Sequence, residues 1–169
     1  MAEALDPALP RAVIDQAETL LDLAHDNGLM LVTAESCTGG MLASLLTDVP
    51  SRSHVFERGI VAYSADAKCE LLAIERRMVD ACGAVSREVA EAMALGALNG
   101  SRGDVALAIT GFAGPGGVDD EEGLVHFACA RHGFAVLHRE AHFGAIGRAG
   151  VRRAALEAAL QLFEEALNL

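Results

Sequence analysis

Residues 29–40 read L-M-L-V-T-A-E-S-C-T-G-G, and this stretch decides how the chain folds. Leu29 to Ala34 is an apolar run too short for a helix and bounded on both sides, which predicts a strand covered on two faces. From Ala34 the sequence A-E-S-C-T-G-G then seats a hydroxyl and a thiol between that strand and a glycine-opened helix. The first N–H groups of a helix have no internal partners and sit at its positive end, a setting in which an oxyanion can be held.

Working outward, Asp6-Pro7 predicts a helix start, Val13, Ala17, Leu20, Leu21 and Ala24 recur at helical spacing, and Gly28 is placed to stop that helix. After the central stretch, Gly39 to Leu46 is expected to be helical, and Gly59 to Ser64 a second strand with Gly59, Val61 and Tyr63 on one face. Ser64 and Ser86 are candidate helix caps, with Met78 to Cys82 adding a turn between their helices. Val105 to Thr110 predicts a third strand running into the loop G-F-A-G-P-G-G, Gly111 to Gly117. Leu124 to Ala130 and Ala135 to His142 follow as a hairpin, and a closing helix opens at Arg148 or Gly150 with Val151, Ala155, Ala159, Leu162 and Phe163 inside. Helices interleaved with early strands and a late hairpin predict one α/β domain over residues 1–169, a mixed sheet sandwiched by helices.

Composition narrows the function. The 169 residues carry 24 acidic against 13 basic side chains, a net charge of -11 without any basic block, which argues against nucleic acid as a partner. The four scattered cysteines form no C-x-x-C pair, as in a reduced cytoplasmic protein without disulfides. No signal-peptide pattern opens the chain, and no run approaches the roughly 20 apolar residues that span a bilayer, so no membrane partner is expected.

Ser36 is the first candidate nucleophile, with Thr38, Gly39 and Gly40 letting a substrate approach main-chain N–H groups. Ser and Thr before a helix are also ordinary caps. Cys37 competes with Ser36, because a thiol at a helix N-terminus is activated. None of the six histidines has a spacing that marks a triad partner. Lys68, the single lysine, lies one turn into the helix after Y-S-A-D-A-K; it acts as a base only if it faces a dry cleft and is otherwise a solvated helix lysine. The glycine loop matches neither the P-loop nor the dinucleotide fingerprint, and is either a phosphate nest or a tight turn. H-R-E-A-H, His138 to His142, lacks the zinc-protease order, so no metal is expected.

Taken in order, A-E-S-C-T-G-G, V-A-Y-S-A-D-A-K, G-A-V-S at Gly83 to Ser86 and T-G-F-A-G-P-G-G resemble the CinA C-terminal domain family, from about Leu20 to Leu162. The resemblance implies a three-layer α/β/α sandwich around a mixed, mostly parallel sheet of about five strands. It further implies a nicotinamide mononucleotide amidohydrolase that needs no metal or organic cofactor, self-associates, and stands alone without the N-terminal domain of the larger relatives. Ser36 would attack the carboxamide, Lys68 with Tyr63 would relay its proton to the leaving ammonia, and amides near Thr38 to Gly40 would hold the oxyanion. Thr110, Gly111, Gly114 and Arg148 would seat the nucleotide, its phosphate included.

Two departures from the family pattern stand out: A-I-G-R at Ala145 to Arg148 keeps the arginine of a Gly-Asp-Arg motif without its acidic neighbour, and V-D-D-E-E follows the glycine loop. They motivate a second reading, a non-catalytic member that binds a nucleotide or a protein partner, and a third, an amidase whose substrate is not a nucleotide.

Overall fold

Leu31–Glu35 forms β1, and every residue of it is buried, because the strand lies in the sheet interior with helices on both faces. The structure, a computed structural model, describes residues 9–169. The other elements in chain order are α1 (Arg11–Asp26), α2 (Met41–Asp48), β2 (Phe56–Val61), α3 (Ala65–Leu72), α4 (Arg76–Cys82), α5 (Arg87–Asn99), β3 (Val105–Gly111), β4 (Leu124–Arg131), β5 (Leu137–His142) and α6 (Arg148–Leu167). The sheet order is β2-β1-β3-β4-β5. β1 runs parallel to β2 and β3, β4 is antiparallel to β3, and β5 is antiparallel to β4, so only β4 opposes the rest. This is the mixed, mostly parallel α/β sheet expected from the alternation of elements.

The two faces differ in bulk. Leu31, Leu107, Ile109, Val125 and Phe127 point to one side and pack with α1, α2 and α6. On the other, Val32, Ala34, Ala106, Ala108, Ala128 and Ala130 make a shallow surface on which α5 lies through Val89, Ala90, Met93, Ala94 and Ala97. Small side chains on both partners let helix and sheet approach closely, the dense packing that interiors require. Against α5, Gly96 does the same for α3: a Cβ built there would stand 2.1 Å from the Leu72 carbonyl oxygen.

Several sequence boundaries shift for identifiable reasons. The Asp6-Pro7 helix start lies outside the described residues; α1 begins at Arg11, after Pro10. Gly39 and Gly40 both take positive φ, 60° and 95°, which makes them a turn and delays α2 to Met41. The second strand begins earlier, at Phe56, and ends at Val61, so Tyr63 is no member of it. Beyond Val61 the Ala62 N–H still donates to Glu35 O at 2.9 Å, and the chain then turns away toward α3. Ser64 and Ser86 cap as read, accepting from Ala67 N–H and Val89 N–H.

Gly96→Ala is expected to destabilise the fold by about 2 kcal/mol or more, because the clash is with backbone and not with a movable side chain. Thermal unfolding monitored by circular dichroism should show a melting temperature lowered by several degrees.

Candidate active site

Ser36 follows the last residue of β1, and its N–H donates to Ile109 O at 2.9 Å, which holds the serine in line with β3. Lys68 is the fourth residue of α3, and the Ser64 cap fixes the start of that helix. From there its side chain runs inward until only 1% of the residue is exposed. Nζ lies 2.9 Å from Ser36 Oγ, 3.2 Å from Ala62 O and 3.5 Å from Tyr63 O. Among the described residues no carboxylate pairs with it. Burial without a counter-charge pushes the Lys68 amine below its ordinary 10.5. A neutral amine has two hydrogens and one lone pair. In the structure Nζ donates to Ser36 Oγ and to the two carbonyls; only the deprotonated amine, with the carbonyls taking its hydrogens, would turn its lone pair to the serine hydroxyl.

The turn after Ser36 is organised by Glu35, which sequence reasoning passed over. This carboxylate is buried and accepts from Thr38 Oγ1 at 2.7 Å and from the N–H groups of Gly40 at 3.2 Å, Leu42 at 3.0 Å and Ala43 at 2.8 Å. It therefore occupies the positive end of α2 itself. Gly39 N–H is also used, donating to Ser36 O at 3.0 Å. The amides of Gly39 and Gly40 are thus spent on the fold, correcting the expectation that they face a substrate. Thr38 N–H has no acceptor among the described residues. The signal for Glu35 was present: a strand covered on both faces leaves a glutamate at its end nowhere to go but inside.

The sequence profile of the CinA C-terminal domain matches residues 14–167. This chain belongs to that family. It is similar to a CinA-like protein of Chlorobium luteolum, 51% identical over 116 residues, which cover 68% of this chain and 27% of that protein. A putative competence-damage inducible protein of Caldicellulosiruptor saccharolyticus is 38% identical over 152 residues, 89% of this chain and 36% of the relative. The chain thus spans about a quarter to a third of the length of these relatives. Among solved structures, the competence/damage inducible protein CihA from Agrobacterium tumefaciens superposes with a TM-score of 0.91 at 41% identity, covering 97% of this chain and 100% of that one. A CinA superfamily protein from Escherichia coli gives 0.86 at 33% identity, covering 91% and 90%.

Within this CinA domain, the family motifs converge only in part. Ser36 and Lys68 meet, and so do Gly114 and Arg148: a Cβ on Gly114 would stand 3.0 Å from an Arg148 guanidinium nitrogen. Tyr63 contributes its carbonyl; the residue is 65% exposed, because Ala62 turns inward and the next residue turns out. Its phenol does not bond Lys68 or Ser36. Thr110 Oγ1 donates to Ala84 O at 2.8 Å and so ties the end of β3 to the segment before α5. Gly111 serves strand pairing, since a Cβ there would meet Leu124 O at 2.7 Å. Cys37 sits in the core with Leu42 and Val55, and burial pushes its thiol up to about 11. Desolvation is the largest influence on this thiol and opposes formation of the thiolate. Arg152, one turn beyond Arg148, was not singled out from sequence, yet its Nη2 donates to Thr38 O at 2.7 Å and braces the same turn. The described residues contain no group of three or more His, Cys, Asp or Glu set to hold a metal ion, and no helix long and apolar enough to cross a membrane.

Two outcomes test this geometry. Glu35→Ala strands four donors and should cost about 3 kcal/mol or more in urea unfolding. For Lys68, a folded-state pKa below the unfolded one means that the unfolded chain binds more protons, so this group's contribution to stability rises with pH up to the ordinary 10.5. Lys68→Met should therefore raise the melting temperature at pH 7, with a gain that shrinks as the pH approaches 10.

Proposed function

We propose that this domain is an amidohydrolase that cleaves the carboxamide of nicotinamide mononucleotide, giving nicotinate mononucleotide and ammonia, with Ser36 as nucleophile and Lys68 as base. The observation that carries the reading is a counterion-free lysine amine 2.9 Å from a serine hydroxyl at the end of a sheet strand. An unassisted serine is a poor nucleophile at neutral pH, and a desolvated amine is one of the few groups able to take its proton.

In the first half-reaction Ser36 Oγ attacks the carboxamide carbon while its proton passes to Lys68 Nζ. The Lys68 ammonium then gives a proton to the departing nitrogen, ammonia leaves, and an ester to Ser36 remains. Water, losing its proton to Lys68, attacks that ester, and the returned proton regenerates the serine hydroxyl. Negative charge on the carbonyl oxygen is met by the N–H groups of Cys37 and Thr38, the two in this turn without an acceptor among the described residues. Lys68 alone carries the proton in this scheme, and the Tyr63 phenol stands at the solvent side.

Arg148, exposed and lying against Gly114, is the seat for the phosphate. The acidic segment beyond the glycine loop opposes this less than its composition suggests. Asp120 Oδ2 accepts from Gly117 N–H at 2.6 Å and Glu121 pairs with His142, so two of its carboxylates have local partners.

Purified protein should release ammonia from nicotinamide mononucleotide, with Ser36→Ala and Lys68→Ala each lowering kcat by about 10³-fold or more and Cys37→Ala keeping most of it. The rate should climb with pH through a lysine titration lying below 10.5, because the free amine is the active form. Arg148→Ala should raise KM for the nucleotide and spare turnover of amides without phosphate. Saturable binding without turnover would mark a binding protein instead.

A further inference from the structure

The turn that carries Ser36 is held by a cation with no counter-charge. Arg152, half-buried on α6, forms no ion pair among the described residues, and its Nη2 donates to Thr38 O at 2.7 Å. Its Nε is buried without an acceptor among the described residues, so the side chain is not placed to complete its own bonding. A Cβ on Gly39 would stand 3.1 Å from Nη2, and the φ of 60° at that residue favours glycine, so the turn is shaped to admit the guanidinium.

Two peptide groups lead from this charge to the reacting centre. The carbonyl that Arg152 holds belongs to the same peptide as Gly39 N–H, which donates to Ser36 O at 3.0 Å; Ser36 O in turn belongs to the same peptide as Cys37 N–H. Both peptides are trans, so each carries its carbonyl and N–H at opposite ends, and the two dipoles follow head to tail with Cys37 N–H at the positive end. That N–H has no acceptor among the described residues and directly follows the nucleophile, a position from which hydrolase turns stabilise an oxyanion. A donor at the end of a hydrogen-bonded chain is strengthened by the links before it, the more so when the first donor is ionised. The turn needs this, because the Glu35 carboxylate brings a negative charge into it. At residue 37 the two charges pull in opposite directions, Glu35 raising the thiol's pKa and Arg152 lowering it.

We propose that Arg152 is a positioning residue whose charge is passed through the Thr38-Gly39 and Ser36-Cys37 peptides to the substrate's oxyanion, strengthening Cys37 N–H as its donor. This rests on the Ser36 amidase reading. Because the oxyanion is common to every amide, Arg152→Met should lower kcat about 10-fold alike for nicotinamide mononucleotide and for nicotinamide riboside, which has no phosphate, with KM changed less than about twofold. Arg152→Lys, which keeps a charged donor for the single carbonyl, should restore most of kcat. The pH midpoint of the rate should stay in place, because the Lys68 amine owes its lowered pKa to burial and not to Arg152. Unchanged kcat, an Arg152→Lys protein no better than Arg152→Met, a loss carried by KM or confined to the nucleotide, or a shifted midpoint overturns the assignment. If the wild-type protein turns over neither amide, the amidase reading fails and the relay is judged by nuclear magnetic resonance of the turn. In Arg152→Met the Gly39 and Cys37 N–H protons should move upfield, while those of Leu42 and Ala43, bonded to Glu35 off the relay, hold still and report an intact turn. An unmoved Cys37 proton, or equal movement at Leu42 and Ala43, overturns it.

Discussion

The buried carboxylate of Glu35 is the constraint on which the rest of the site depends. It anchors three N–H groups at the start of α2 and the hydroxyl of Thr38, and so fixes the path of the five residues that carry the nucleophile. An ionised group removed from water is tolerated only when its oxygens are fully used, and here the helix end supplies the donors. The consequence for chemistry is subtractive. The strongest anion seat in the turn is filled from within, so the start of α2 is closed to any other anion.

A second constraint comes from below. Alanines on one sheet face bring α5 close, Gly96 brings α3 close to α5, and α3 carries the amine that reaches Ser36. The 2.9 Å contact between amine and hydroxyl is therefore the end of a chain of close approaches that starts in the core. Side chains with no chemistry of their own set the distance on which the chemistry relies. A methyl group added at Gly96 acts at one remove from the site through this stack.

What the sequence disclosed was what local chemistry dictates: serine caps before helices, glycine stops, apolar periodicity and the fully covered central strand. The Ser36 and Lys68 pairing was readable only as two strand ends that had to be neighbours. What stayed hidden depended on direction. Cys37 and Ser36 are adjacent and equally buried, and only the folded turn decides that the thiol packs among apolar side chains while the hydroxyl meets the Lys68 amine. The Tyr63 phenol was assigned a relay role from its motif, yet an extended chain sends alternate residues to opposite sides, and the inward place belongs to Ala62.

Lys68 is the single lysine of the chain and it is buried, while the cationic side chains on the surface are arginines. The folded exterior consequently offers no ε-amino group to acylating reagents or to enzymes that modify lysine. Any such adduct on this protein would record a moment when α3 had lifted from the sheet, which turns a scarcity in composition into a built-in gauge of local opening.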